Sequence, residues 1–213
     1  MSLLPIFLRV RERPVVVVGA GTVALAKIES LLSTGAVIIV IAPQAVTDVR
    51  GLAAQGTLTW RQRTFVPADL DGVFLVIAAT NDPAVNRIVH EEAARRNILC
   101  NAVDDPPNCD FYFGSVVARG DLQIAVSTAG ESPALAQRLR REIDEQLPGD
   151  LGPWLNEVGA LRRGIRASAP AGADRNLLLH ELAQRPLCPS SECPARQYVH
   201  DRIAALQAKG SRG

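Results

Sequence analysis

Two stretches of the 213-residue chain hold residue types that could do chemistry. Residues 101–111, NAVDDPPNCDF, set two adjacent carboxylates, Asp104 and Asp105, directly before Pro106 and Pro107. Proline fixes its own φ and limits the loop's freedom, so a carboxylate held there would be preorganised. Such a group beside a hydride acceptor suits proton removal coupled to hydride transfer. The alternative is a turn, because Asp ahead of proline often hydrogen-bonds nearby backbone. Spacing alone leaves Asp104 open between these roles and assigns Asp105 to the turn.

The second stretch lies upstream. Gly19-Ala20-Gly21-Thr22-Val23-Ala24 follows the G-x-G-x-x-G/A pattern of dinucleotide-binding turns. Gly19 permits the tight turn, Gly21 lacks the Cβ that would meet a pyrophosphate, and Ala24 lets a helix pack on a strand. The helix start then offers free N–H groups and partial positive charge to phosphates. Gly-rich turns also serve plain packing, and the strand before and helix after this one favour the cofactor role. An acid about 20 residues on usually binds the ribose 2′-OH. Here Ala42-Pro43-Gln44 occupies that place. Gln44 can hydrogen-bond a ribose hydroxyl and nothing nearby holds a 2′-phosphate, so NAD is expected over NADP. Thr80, within Ala78-Ala79-Thr80-Asn81-Asp82, is expected to flank the same crevice.

The elements that would position these groups alternate. Val15–Val18 reads as a strand covered on both faces, followed by a helix with Ala24, Ile28, Leu31 and Leu32 on one side. Further strands are expected at Val37–Ile41, 57–60, Val73–Ala79 and Ile98–Val103, with helices at 45–54 and from Pro83, capped by Asp82. The alternation predicts an α/β, doubly wound parallel sheet through about residue 113. The fifth strand would deliver Val103 and Asp104 to the nicotinamide edge. The rhythm then changes to a hairpin (115–119 and 122–127) and a helix from Ser132–Pro133 to about Gln146. LPGDLGP (147–153) reads as a linker, and 154–166, 174–184 and 196–208 as helices.

Composition narrows the class. Hydrophobic residues make up 47% and aromatics only 4%, so aliphatic side chains must form the core. A net charge of +1 lacks the basic excess of nucleic-acid binders. No membrane span or signal peptide is expected. Four cysteines do not make a disulfide framework, so a cytoplasmic protein is expected. Cys188, Cys193 and His200 are too loosely spaced for a zinc site and lack a fourth ligand, so no resident metal is expected.

Five blocks in order, LPIF (4–7), VVVVGAGTVALAKIESLLSTGA (15–36), FLVIAATND (74–82), NAVDDP (101–106) and VSTAGESPALAQRLRREI (126–143), resemble the siroheme-synthase N-terminal family. Its members are precorrin-2 dehydrogenases, many also sirohydrochlorin ferrochelatases. The resemblance covers residues 1–150 closely and the remainder loosely. It implies a Rossmann domain at 1–113, a dimerisation region at 114–149 and a helical domain at 150–213, without the methyltransferase domain fused to some members. It implies a homodimer that uses NAD. Asp104 matches the family's essential aspartate; Thr22, Val23, Pro43 and Gln44 fall where NAD is contacted. Thr128 stands where some members carry a serine beside the tetrapyrrole pocket.

By that resemblance NAD takes a hydride from precorrin-2 and Asp104 takes or relays the proton, giving sirohydrochlorin. Fe²⁺, as a second substrate, would then displace two N–H protons that the same carboxylate can accept. Gly130 and Ser132 are expected to approach the macrocycle, with Arg119, Arg138, Arg140 and Arg141 available for its carboxylates. The alternatives are a dehydrogenase without chelatase activity, an NAD-sensing regulatory Rossmann protein, and an NAD-dependent dehydrogenase of a small acid.

Overall fold

The structure, a computed structural model, describes residues 3–168 and 172–182. The chain divides into two compact units, one ending at Phe113 and one beginning at Gly114. In the first, β1 (Pro14–Val18), β2 (Val37–Ile41), β3 (Thr59–Arg61), β4 (Leu75–Ala78) and β5 (Leu99–Ala102) form one sheet in the order β3-β2-β1-β4-β5. Every neighbouring pair is parallel. The crossovers contain α1 (Thr22–Leu32), α2 (Thr47–Ala54) and α3 (Pro83–Arg95).

The valine run needs no alternation because both sheet faces are covered. Val15, Val17, Val40 and Ile77 pack with Ala24, Ile28 and Val49 of α1 and α2. Val16, Val18, Ile41 and Val76 pack on the opposite face with Val89 and Ala93 of α3. All four valines of β1 are at most 2% exposed, and burying each contributes roughly 1.5–3 kcal/mol. Asp82 caps α3 through the Ala84 N–H, as its sequence position predicts. The third strand starts two residues later than expected. Gly56 (φ 73°) and the Thr57 N–H bond to the Leu52 carbonyl hold that chain in a turn, and pairing begins at Ile39 with Thr59.

The second unit opens with the expected hairpin, β6 (Ser115–Arg119) and β7 (Leu122–Val126), turning at Gly120. It continues with α4 (Pro133–Gln146), α5 (Leu151–Ser168) and α6 (Ala173–Glu181). The expected linker through Pro153 is corrected, because α5 already begins at Leu151. Pro153 falls in the first helical turn, where its missing N–H costs nothing. Gly152 can lie there because it has no side chain: a Cβ would stand 2.9 Å from the Arg119 carbonyl oxygen. Leu151, Trp154, Ile165 and Leu182 form a small core. The expected helix at 196–208, with Cys188, Cys193 and His200, lies outside the described residues. Among the described residues no helix is long and apolar enough to cross a membrane.

Candidate functional site

The register brings the strand ends level, with Val18 beside both Ile41 and Ala78, and Ala78 beside Ala102. Sheet order reverses between β1 and β4, so a ligand crevice belongs at their C-terminal ends. There Gly19 adopts φ 108° and donates its N–H to the Ile41 carbonyl at 2.9 Å. A Cβ on Gly19 would fall 2.2 Å from the Ala79 carbonyl oxygen, so only glycine fits. Gly21 differs: nothing lies within 4 Å of where its Cβ would be. It precedes α1 with no side-chain cap and no acid in the first turn. Thr22 and Val23 are exposed beside it. Uncapped N–H groups at a positive helix end, next to open space, fit the pyrophosphate of a dinucleotide.

Pro43 and Gln44 are exposed just past β2. The indole N–H of Trp60 fastens that strand end by donating to the Ala42 carbonyl at 3.0 Å. Beyond β4, the Thr80 N–H and hydroxyl both donate to Asn86 Oδ1, at 3.2 and 2.7 Å, while Asn86 Nδ2 returns a bond to the Thr80 carbonyl. Thr80 is therefore fixed just past β4, its hydroxyl engaged by α3. The sequence reading passed over Asn86; its signal was an amide in the first turn of α3, one helical turn before the buried Val89.

At β5 the Val103 N–H donates to the Ala78 carbonyl at 2.9 Å, and Asp104 follows in the left-handed region, φ 61°. Its side chain is exposed, and no described residue donates a hydrogen bond to it. Asp105 is the turn residue, its carboxylate accepting from Asn108 Nδ2 at 2.7 Å. Proline stiffness is only part of what holds this loop. The returning chain is fastened to β5: Asp110 accepts from the Cys100 N–H at 2.9 Å and donates its own N–H to the Cys100 carbonyl. Buried Asn101 donates to the Phe111 carbonyl at 2.8 Å. With β4 between them, β1 and β5 are two strand spacings apart, so the strand ends that lead to the glycine turn and to Asp104 are about 10 Å apart. The thiols nearby are poor nucleophiles. Burial pushes Cys100 up to about 12 and also raises Cys109, whose Sγ donates to the Ala102 carbonyl.

The sequence reading also missed Lys27. This half-buried residue of α1 carries its ammonium 4.3 Å from the centroid of the Phe113 ring. Burial lowers its pKa, and the charges of Asp104 and Cys109 oppose that shift. A cation bordering the buried Ala24–Ile28–Leu31 stripe was the available signal.

In the second unit Thr128, Gly130 and Ser132 meet in one turn. Thr128 Oγ1 accepts the Ser132 N–H at 3.1 Å, Ala129 and Gly130 are both left-handed, and Ser132 caps α4 through Leu135. The arginines are mostly paired: Arg119 and Arg140 with Asp144, Arg138 with Glu142. Among the described residues no cluster of three metal-ligating side chains occurs.

Residues 6–115 match the family model described as "Putative NAD(P)-binding", and residues 119–146 the one described as "Sirohaem biosynthesis protein central". Siroheme synthase 1 of Cronobacter sakazakii is 46% identical over 162 residues, 76% of this chain and 34% of that protein. Siroheme synthase 1 of Aeromonas hydrophila is 37% identical over 210 residues, 99% of this chain and 42% of that one. The chain thus spans roughly a third to two fifths of these relatives' length. A solved structure, "SirC, precorrin-2 dehydrogenase", is similar with a TM-score of 0.79 and 26% identity, covering 95% of this chain and 100% of that one. With residues 6–115 matched, the chain belongs to the putative NAD(P)-binding family, and residues 119–146 carry the central segment of sirohaem biosynthesis proteins.

Proposed function

We propose that this chain oxidises precorrin-2 to sirohydrochlorin with NAD. The observation that carries the proposal is Asp104, exposed and left-handed at the end of β5, two strand spacings from an uncapped glycine turn. The similar solved structure is that of a protein named for the same activity, precorrin-2 dehydrogenase.

When bound, the nicotinamide supplies the hydride acceptor. The chain's residues do the rest. Gly19 and Gly21, with the N–H groups at Thr22 and Val23, hold the pyrophosphate; Pro43 and Gln44 receive the adenosine ribose. Thr80 and Val103 wall the nicotinamide end. Asp104 removes the proton that leaves with the hydride, a role in which a positioned carboxylate contributes typically 10²–10⁴-fold. Thr128, Gly130 and Ser132 hold the macrocycle. The same carboxylate would accept the pyrrole N–H protons displaced when Fe²⁺ enters sirohydrochlorin, giving the chain ferrochelatase activity.

Residues 114–149 serve dimerisation in this proposal, and the helices α5 and α6 follow them. Among the described residues no third strand pairs with the β6–β7 sheet, and its outer edges suit pairing with a second copy. A cytoplasmic setting suits the free thiols of Cys100 and Cys109.

The test mixes the purified chain with precorrin-2 and NAD and follows the spectra of sirohydrochlorin and NADH together. Stoichiometric appearance of both is expected. NAD binding without oxidation of precorrin-2 would overturn the proposal. Adding Fe²⁺ to sirohydrochlorin, and timing metal insertion with and without protein, tests the chelatase part separately.

A further inference from the structure

Lys27 has no place in the function just described, and its setting calls for one. Side chains on a helix lean back toward its N-terminus, so Lys27, in the second turn of α1, reaches toward the crevice end of the sheet. Its ammonium rests on the Phe113 ring, whose chain has just returned from the acidic loop. Asp104 is the carboxylate whose charge acts on it most strongly. Yet among the described residues no carboxylate oxygen lies within ion-pair distance of Nζ. Elsewhere in the first unit four arginines are matched: Arg61 and Arg63 with Asp69, Arg95 and Arg96 with Glu92. Lys27 is a half-desolvated cation without such a match, resting on Phe113 and within electrostatic reach of the proposed catalytic carboxylate.

We propose that Lys27 is a substrate-anchoring residue, its ammonium held by the Phe113 ring so as to receive one carboxylate of the macrocycle beside Asp104. This rests on the proposed precorrin-2 activity. The aromatic face holds the cation without neutralising it, as a protein carboxylate would. A charge on a ring, partly removed from water, attracts an incoming carboxylate more strongly than a fully hydrated one. Anchoring there would also set the macrocycle's orientation, so that the carbon losing its proton faces Asp104 and not the rim.

The test titrates sirohydrochlorin into wild-type protein, Lys27→Met and Lys27→Arg, followed by its visible absorbance, with NADH affinity and thermal midpoint measured in parallel. Methionine keeps the apolar stem on Phe113 and removes the charge; arginine keeps both charge and ring contact. Lys27→Met should weaken sirohydrochlorin binding about tenfold or more, as for the loss of a charge-assisted hydrogen bond. NADH affinity and the thermal midpoint should not change, and Lys27→Arg should restore most of the binding. With precorrin-2 as substrate, KM should rise more than kcat falls. Wild-type affinity in Lys27→Met would overturn the anchoring role and leave the proposed activity standing. Joint loss of NADH and sirohydrochlorin would also overturn it, marking Lys27 as a brace for the loop. A wild-type chain that binds no sirohydrochlorin would remove the proposed activity and the anchor with it.

Discussion

The carbonyl oxygen of Ala79 lies 2.2 Å from the point where a side chain on Gly19 would begin. Two parallel strands, β1 and β4, end in contact, and that contact closes the floor of the crevice. Gly19→Ala must move one of these backbones and also force an alanine to φ 108°. The variant should lose about 3 kcal/mol or more of stability, since left-handed strain and overpacking act together. Urea unfolding measures this, with the midpoint falling whether or not NAD is present.

Gly21→Asp should behave oppositely. Its Cβ would enter open space, and aspartate is a favoured N-cap, so unfolding should shift by less than about 1 kcal/mol. The new carboxylate would occupy the pyrophosphate's place and repel it, so NADH affinity should fall about a hundredfold or more, two powers of ten being about 2.8 kcal/mol. Near-normal NADH binding in a fluorescence titration would mean that the phosphates lie elsewhere.

Asp104→Asn keeps the shape and the tolerance for φ 61°, and removes the base. Precorrin-2 turnover should fall about 10²–10⁴-fold. NADH affinity and the unfolding midpoint should stay where they are, because no described hydrogen bond ends on that carboxylate. Unchanged turnover would assign proton removal to another group.

Asp69 predicts the acid limb of stability. Burial alone would push its carboxyl up, but hydrogen bonds from Arg63, the Val66 N–H and Arg61 prevail and hold it below the usual range. A depressed folded pKa stabilises the protein above the unfolded value, about 3.9, and that contribution is lost as pH falls through the folded value. Asp69→Asn should therefore cost about 1–3 kcal/mol at neutral pH. The gap between variant and wild type should narrow on acidification below about pH 4. A gap that stays constant down to about pH 2 would show that the charge of Asp69 is not what stabilises the fold.

Much of this molecule was legible from neighbouring residues alone. The valine run, the Gly19–Ala24 turn and the caps at Asp82 and Ser132 are governed by dihedral preference and periodicity within a few positions. They led to the parallel sheet, the change of architecture after residue 113 and the identity of Asp105 as a turn residue. LPGDLGP misled for the same reason. Its glycines and prolines read as a breaker, whereas α5 begins at Leu151 and Gly152 fits in its first turn because the Arg119 carbonyl lies where a side chain would stand.

The candidate site was legible as separate pieces, the glycine turn and the acidic loop, and not as an arrangement. The distance between them is set by sheet order, through β4 lying between β1 and β5, and no local pattern encodes which strand is inserted. The same holds for Asn86 gripping Thr80, for Asp110 fastening the loop's return to β5, and for Lys27 on Phe113. Each joins residues from different elements whose encounter depends on the packing of the chain between them. Short-range torsions and hydrophobic spacing act along the chain and can be read there, whereas hydrogen bonds and ring contacts across the fold exist only once the layers have closed.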